Sequence, residues 1–205
     1  MTEQRGVTVW FTGLSGSGKT AIAQALEPIL RERGLRVERL DGDIVRQSLT
    51  RDLGFSKEDR DKNIERVTFV AKLLTRNDVI VLCSFISPYR AVRARSRAEI
   101  GSFVEVYCYC PLDTLIKRDV KGLYKKAIAG EIANFTGISD PYEEPENPEV
   151  RIDSGTETLK ESGARVLAYL EEQGYVPPAP AADDSGYTAE EERLIEERLG
   201  ALGYL

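Results

Sequence analysis

Eight residues constrain this chain more than any other feature. Gly13-Leu14-Ser15-Gly16-Ser17-Gly18-Lys19-Thr20 lie directly between a run of strand-type residues, 7–12, and a helical pattern. Glycines at this spacing let successive backbone N–H groups turn inward, and the N-terminus of the following helix adds a favourable dipole for an anion. The pattern is that of a P-loop in its required strand-to-helix context, so all eight residues are read as a cradle for a nucleoside triphosphate. Lys19 is expected to reach the terminal phosphates as a point charge, and Thr20 to place its hydroxyl on Mg²⁺.

The rest of the chain continues the rhythm that such a loop demands. Strand-like runs at 7–12, 36–41, 79–85, 103–110 and 149–153 alternate with helical patterns. This predicts an α/β fold of three layers, a mostly parallel sheet of about five strands with helices on both faces. Ser56 and Asp59 form a capping pair, and Ile64, Val67, Ala71 and Leu74 share a face, so a helix of about four turns is expected there. Leu159, Val166, Leu167 and Leu170 make a similar stripe that stops at Gly174. Pro28 falls inside the first helical pattern and predicts a kink near Ala25 or a helix in two pieces.

One domain spanning 1–176 is expected. Within it, 119–148 break the rhythm with Lys121, Lys125 and Lys126 and then a stretch rich in Asp, Glu and Pro, as a functional lid does. Residues 177–187 read as a stiff Pro/Ala linker, and 188–205 as an amphipathic helix with Thr188 and Glu191 at capping-box spacing. Leu194, Ile195, Leu199 and Leu202 lie on one side of it, which suits packing on the body, a dimer contact or a solvated appendage.

Composition removes several chemistries. The 205 residues contain no histidine, so no triad or metal site can use imidazole and a proton acceptor must be a carboxylate or another group. Cys83, Cys108 and Cys110 are too few for a zinc site and read as buried thiols. The net charge is −6, and residues 183–205 hold seven acids against two arginines, which leaves the remainder at −1 and argues against non-specific nucleic-acid binding. No apolar run approaches the roughly 20 residues of a membrane span, and the N-terminus resembles no targeting peptide, so a cytoplasmic protein is expected.

P-loops serve kinases, motors and GTP switches alike. Here the third strand does not end in the Asp of a Walker B motif, and no Asn-Lys-x-Asp is present to read guanine. Instead, Asp41-Gly42-Asp43 closes the second strand, at the sheet edge where ligands bind. Alone, that tripeptide is a tight turn. Beside a phosphate loop, Asp43 is the candidate carboxylate to face Mg²⁺ and to orient, or deprotonate, an attacking hydroxyl.

Further segments occur in a distinctive order. They are Leu40-Asp41-Gly42-Asp43-x-Val45-Arg46, Leu53-Gly54-Phe55-Ser56-x-Glu58-Asp59-Arg60-x-x-Asn63-Ile64-x-Arg66, Phe85-Ile86-Ser87-Pro88-Tyr89-Arg90, Lys121-Gly122-Leu123-Tyr124-Lys125-Lys126-Ala127 and Asn134-Phe135-Thr136-Gly137. With the phosphate loop, this set resembles the adenylylsulfate kinases over residues 7–175. The resemblance implies transfer of the γ-phosphoryl group of Mg-ATP to the 3′-hydroxyl of adenylylsulfate. It implies acceptor-binding roles for Asp41, Asp43, Arg46, Phe55, Arg60, Asn63, Ile86, Ser87, Lys121, Leu123 and Phe135. It also implies a homodimer and a functional link to ATP sulfurylase. In that family the serine matching Ser87 is marked as a possible phosphoserine intermediate. No activating base is evident near Ser87 in the sequence, so direct transfer is the preferred route and Ser87 is expected to hold the acceptor or the loop. Two positions depart from the family pattern: Ile44 stands where Asn is common and Val120 where Pro is frequent. A kinase for another nucleotide or sugar, and a nucleotide-dependent binding module without turnover, are the alternative readings.

Overall fold

The computed structural model describes residues 4–178 and 189–201. Five strands, β1 (Val7–Thr12), β2 (Val37–Asp41), β3 (Ile80–Ser84), β4 (Phe103–Tyr109) and β5 (Val150–Asp153), form one sheet in the order β2-β3-β1-β4-β5. Every pairing is parallel, as the βα rhythm predicts. The central strand β1 is buried along its whole length, and its period of two divides the core. Val7, Val9 and Phe11 face one layer with α1 (Lys19–Glu32) and α7 (Leu159–Glu172). Trp10 faces the other, with Ile64, Val67 and Ala71 of α3 (Lys57–Thr75) and Val92 of α4 (Arg90–Ile100).

Local signals explain most element ends. Ser56 caps α3 by accepting from Asp59 N at 3.1 Å, and the helix runs 19 residues, about a turn longer than the apolar stripe suggests. Thr158 and Glu161 make a reciprocal capping box at the start of α7, and Gly174 adopts φ 70° just after its end. The expectation of a first helix in two pieces is not met: α1 passes through Pro28 as one helix. Leu26, Ile29 and Leu30 are fully buried on both sides of the proline, and burial at about 1.5–3 kcal/mol each outweighs the lost hydrogen bond.

The insertion at 119–148 is partly helical, with α6 (Leu123–Ile128) after α5 (Leu112–Arg118); α2 (Gly42–Val45) is a single turn after β2. All three cysteines are free and buried, and burial raises the Cys83 thiol and pushes Cys108 up to about 12. The C-terminal helix α8 (Ala189–Ala201) packs against α1, with Ile195 inside the first core layer. Arg33 binds Glu171 of α7, Glu191 of α8 at 2.7 Å and the carbonyl of Pro177 at 3.1 Å. Thr188, Leu202 and most of the linker lie outside the described residues. Among the described residues, no helix is long and apolar enough to cross a membrane.

Candidate active site

The carboxyl ends of β1, β2 and β3 open into one cavity of about 580 Å³. At the end of β1 the chain turns at Gly13, φ 145°, where a Cβ would sit 2.3 Å from the carbonyl oxygen of Cys108. Gly18, φ 88°, then delivers the chain to α1. Only glycine meets both demands cheaply. Ser15, Gly16, Gly18, Lys19 and Thr20 line the cavity, Ser17 is buried, and Leu14, like Phe135 and Ile138 of the lid, packs against the cluster of Cys110, Leu115 and Tyr124.

Lys19 is 7% exposed and donates to the carbonyls of Gly13 at 2.9 Å and Leu14 at 2.7 Å. Burial lowers its pKa to about 8, because the loop's carbonyls replace water without supplying a full countercharge. Thr20 Oγ1 donates to Asp41 Oδ2 at 2.7 Å, while Asp41 Oδ1 accepts from Asp43 N at 2.9 Å as the cap of α2. Asp41 is thus the carboxylate bonded to the Thr20 hydroxyl. Asp43 projects to the rim, its side chain 73% exposed, and pairs with Lys121 at 2.6 Å. Thr20 and Asp41 present hard oxygens beside the phosphate loop, a donor set that fits Mg²⁺, which takes few protein ligands and completes its shell with phosphate and water.

The opposite wall is made of side chains from separate segments. Arg46 donates to the carbonyls of Leu53 at 3.2 Å and Gly54 at 3.1 Å, and its guanidinium stacks 4.3 Å from the centre of the Phe55 ring. Burial, and next the Arg60 charge, lower the Arg46 pKa. Arg60 donates to Phe55 O at 3.0 Å and reaches Thr136 Oγ1 and Asn134 O on the lid. Asn63 is buried, lines the cavity and leaves its side-chain oxygen without a protein partner. Phe55, 60% exposed, and Phe135, edge-on to Tyr124 at 5.1 Å, give the wall its aromatic surface.

Ile86, Ser87, Lys121 and Leu123 also line the cavity. Ser87 is buried; its hydroxyl accepts from Trp10 Nε1 at 3.0 Å and lies 3.2 Å from Thr12 Oγ1. No carboxylate is among its partners. Of the three lid lysines, Lys121 lines the cavity, whereas Lys125 and Lys126 are exposed and do not. Ile44 points to solvent, and Val120 lines the cavity with an exposed side chain. Two contacts go beyond the sequence reading. Tyr124 Oη donates to Ser15 O at 2.8 Å, tying the lid to the phosphate loop, and the Thr20–Asp41 bond brings β2 to the first turn of α1.

A family model for adenylylsulphate kinase matches residues 5–153, most of the domain that carries this cavity. The chain belongs to the adenylylsulfate kinase family. The adenylyl-sulfate kinase of Halothermothrix orenii is 64% identical over 176 residues, 86% of this chain and 95% of its own length. A probable bifunctional SAT/APS kinase of Sorangium cellulosum is 58% identical over 177 residues, 86% of this chain and 30% of the relative. Among solved structures, the APS kinase of Mycobacterium tuberculosis in complex with AMPPNP and APS superposes with a TM-score of 0.78 at 46% identity, covering 82% of this chain and 99% of that one.

Proposed function

We propose that this adenylylsulfate kinase transfers the γ-phosphoryl group of Mg-ATP to the 3′-hydroxyl of adenylylsulfate, giving 3′-phosphoadenylylsulfate and ADP. The observation that carries this reading is the joining of two unlike surfaces in one cavity. A backbone cradle for phosphates faces a wall of Arg46, Arg60, Asn63, Phe55 and Phe135 that suits a purine bearing an anion. The two arginines beside the aromatic faces suit an anionic nucleotide better than a neutral sugar.

Gly13 to Thr20 hold the ATP phosphates, with Lys19 turning from its own loop's carbonyls to the transferring group. Thr20, with Asp41 and Asp43 nearby, would hold Mg²⁺, which would supply positive charge against the ATP phosphates. The 3′-oxygen forms its bond to the γ-phosphorus as the bond to the β–γ bridging oxygen breaks, and ADP leaves. Asp43 orients the hydroxyl and accepts its proton, after Lys121 has moved from Asp43 to the phosphates. Asp41, Ile86, Ser87 and Leu123 shape the acceptor's seat. Ser87 acts as a fixed contact and not as a phosphorylated intermediate, because its hydroxyl is held by Trp10 and Thr12 and has no base beside it.

Homodimerisation and a functional link to ATP sulfurylase complete the reading; a relative whose name joins SAT and APS kinase in one chain supports the link. Three free thiols suit a reducing cytoplasm. The test is purified chain with Mg-ATP and a panel of acceptors. Stoichiometric ADP and 3′-phosphoadenylylsulfate are expected with adenylylsulfate, and clear preference for another hydroxyl compound overturns the reading.

A further inference from the structure

Arg93 stands outside the cavity, yet it is bonded to the loop that forms the acceptor's floor. It lies on α4, is 3% exposed, and uses all three guanidinium nitrogens. Nε donates to Glu105 Oε1 at 2.7 Å, Nη1 to the carbonyl of Ser87 at 2.6 Å, and Nη2 to the carbonyl of Glu143 at 2.7 Å. Three fixed donors therefore join a strand of the sheet, the loop after β3 and the far end of the lid insertion.

The loop needs such a hold. Ser87 has φ 39°, a left-handed conformation that a residue with a side chain adopts only when its surroundings enforce it. Its carbonyl is fixed by Arg93 and its hydroxyl by Trp10, so both ends of the residue are pinned while Ile86, Ser87 and Pro88 face the cavity. Glu143 closes the arrangement: its N–H donates to Pro88 O at 2.9 Å, and its carboxylate accepts from Arg90 N at 2.7 Å. Glu105 anchors the guanidinium from β4, and its own N–H donates to Glu149 at 2.6 Å. The pair is buried, so removing the charge at Arg93 alone leaves Glu105 with only Arg97, 3.6 Å away, as its countercharge.

We propose that Arg93 is a positioning residue for the acceptor nucleotide, setting the Ile86–Ser87–Pro88 floor by gripping the carbonyls of Ser87 and Glu143 together. The proposal rests on the reading of the reaction given above. Lysine keeps the charge opposite Glu105 but has no planar fork to hold two carbonyls at once.

The experiment compares wild type, Arg93→Lys and the double variant Arg93→Met/Glu105→Gln, which removes both charges of the buried pair. Each is assayed with Mg-ATP and adenylylsulfate, with melting temperature and ATP affinity measured in parallel. Both variants are expected to raise KM for adenylylsulfate about tenfold or more, with ATP affinity changed less than about twofold. Either variant with an unchanged KM for adenylylsulfate overturns the proposal while leaving the reaction in place. So does a loss shared equally between both substrates and accompanied by a collapse in melting temperature, which marks a merely structural role. A wild-type chain that releases no ADP with adenylylsulfate overturns the reading of the reaction itself.

Discussion

The two halves of the cavity are built in opposite ways. The donor half is one continuous segment whose functional groups are mostly backbone amides, set by glycine conformations and closed off from solvent around Lys19. The half proposed for the acceptor is assembled from side chains after β2, at the start of α3, after β3 and on the lid, and its Phe55 and Asp43 stand open to water. Backbone cradles tolerate no drift but recognise only phosphate. Side-chain walls define one substrate, and they need other elements to hold them in register, as Arg60 holds the lid and Arg93 holds the loop after β3.

That contrast is sharpest at Asp43, where the halves meet. Asp43→Ala is expected to lower turnover by about 10³-fold or more while ATP still binds, measured as ADP release beside equilibrium dialysis. Loss of ATP binding instead assigns Asp43 to the donor half. Phe55→Ala removes one aromatic face and should raise KM for adenylylsulfate by roughly 10–100-fold, on the scale of about 1–3 kcal/mol per stacked base, with KM for ATP unmoved.

Lys19 offers a test of the donor half alone. With its pKa lowered to about 8, Lys19 is partly neutral in the empty site above that pH, and incoming phosphates favour its charged form. ATP binding between about pH 8 and 9 is therefore expected to take up protons, by under one per site, read by calorimetry in buffers of differing ionisation enthalpy. The same shift has a sign for folding. Between pH 8 and 10.5 the unfolded chain binds more protons at this lysine, so its contribution to stability rises with pH across that window and vanishes once phosphate restores the charge. The smallest effect on the reaction is expected from ending the chain at residue 178. The melting temperature should fall by about 2–4 °C per kcal/mol lost, as Ile195 leaves the core and Arg33 loses Glu191, with both KM values within about twofold.

The donor half was legible because it is local: spacing and glycine content state the backbone conformation directly. The parallel sheet was legible for the same reason, through buried runs separated by helical stripes. The residues proposed for the acceptor were named by resemblance to a family, and Arg46, Phe55, Arg60 and Asn63 of two separate motifs line one cavity. What stayed hidden were partnerships over long sequence separations. Nothing local says that Thr20 bonds Asp41 and leaves Asp43 to Lys121, that Tyr124 reaches Ser15, or that Arg93 spans from Ser87 to Glu143. The alternative that Pro28 splits the first helix failed for a related reason, since the packing that keeps α1 in one piece comes from the sheet and α7.

Trp10 is the only tryptophan in the chain. It lies with its ring centre 5.7 Å from those of Phe85 and Phe103, and its indole N–H rests on Ser87. Light absorbed at the red edge of the protein spectrum therefore reports from beneath the Ser87 loop, the floor proposed for the acceptor, and nowhere else. The molecule carries its own optical gauge of that floor, readable in a stopped-flow cell without any attached dye.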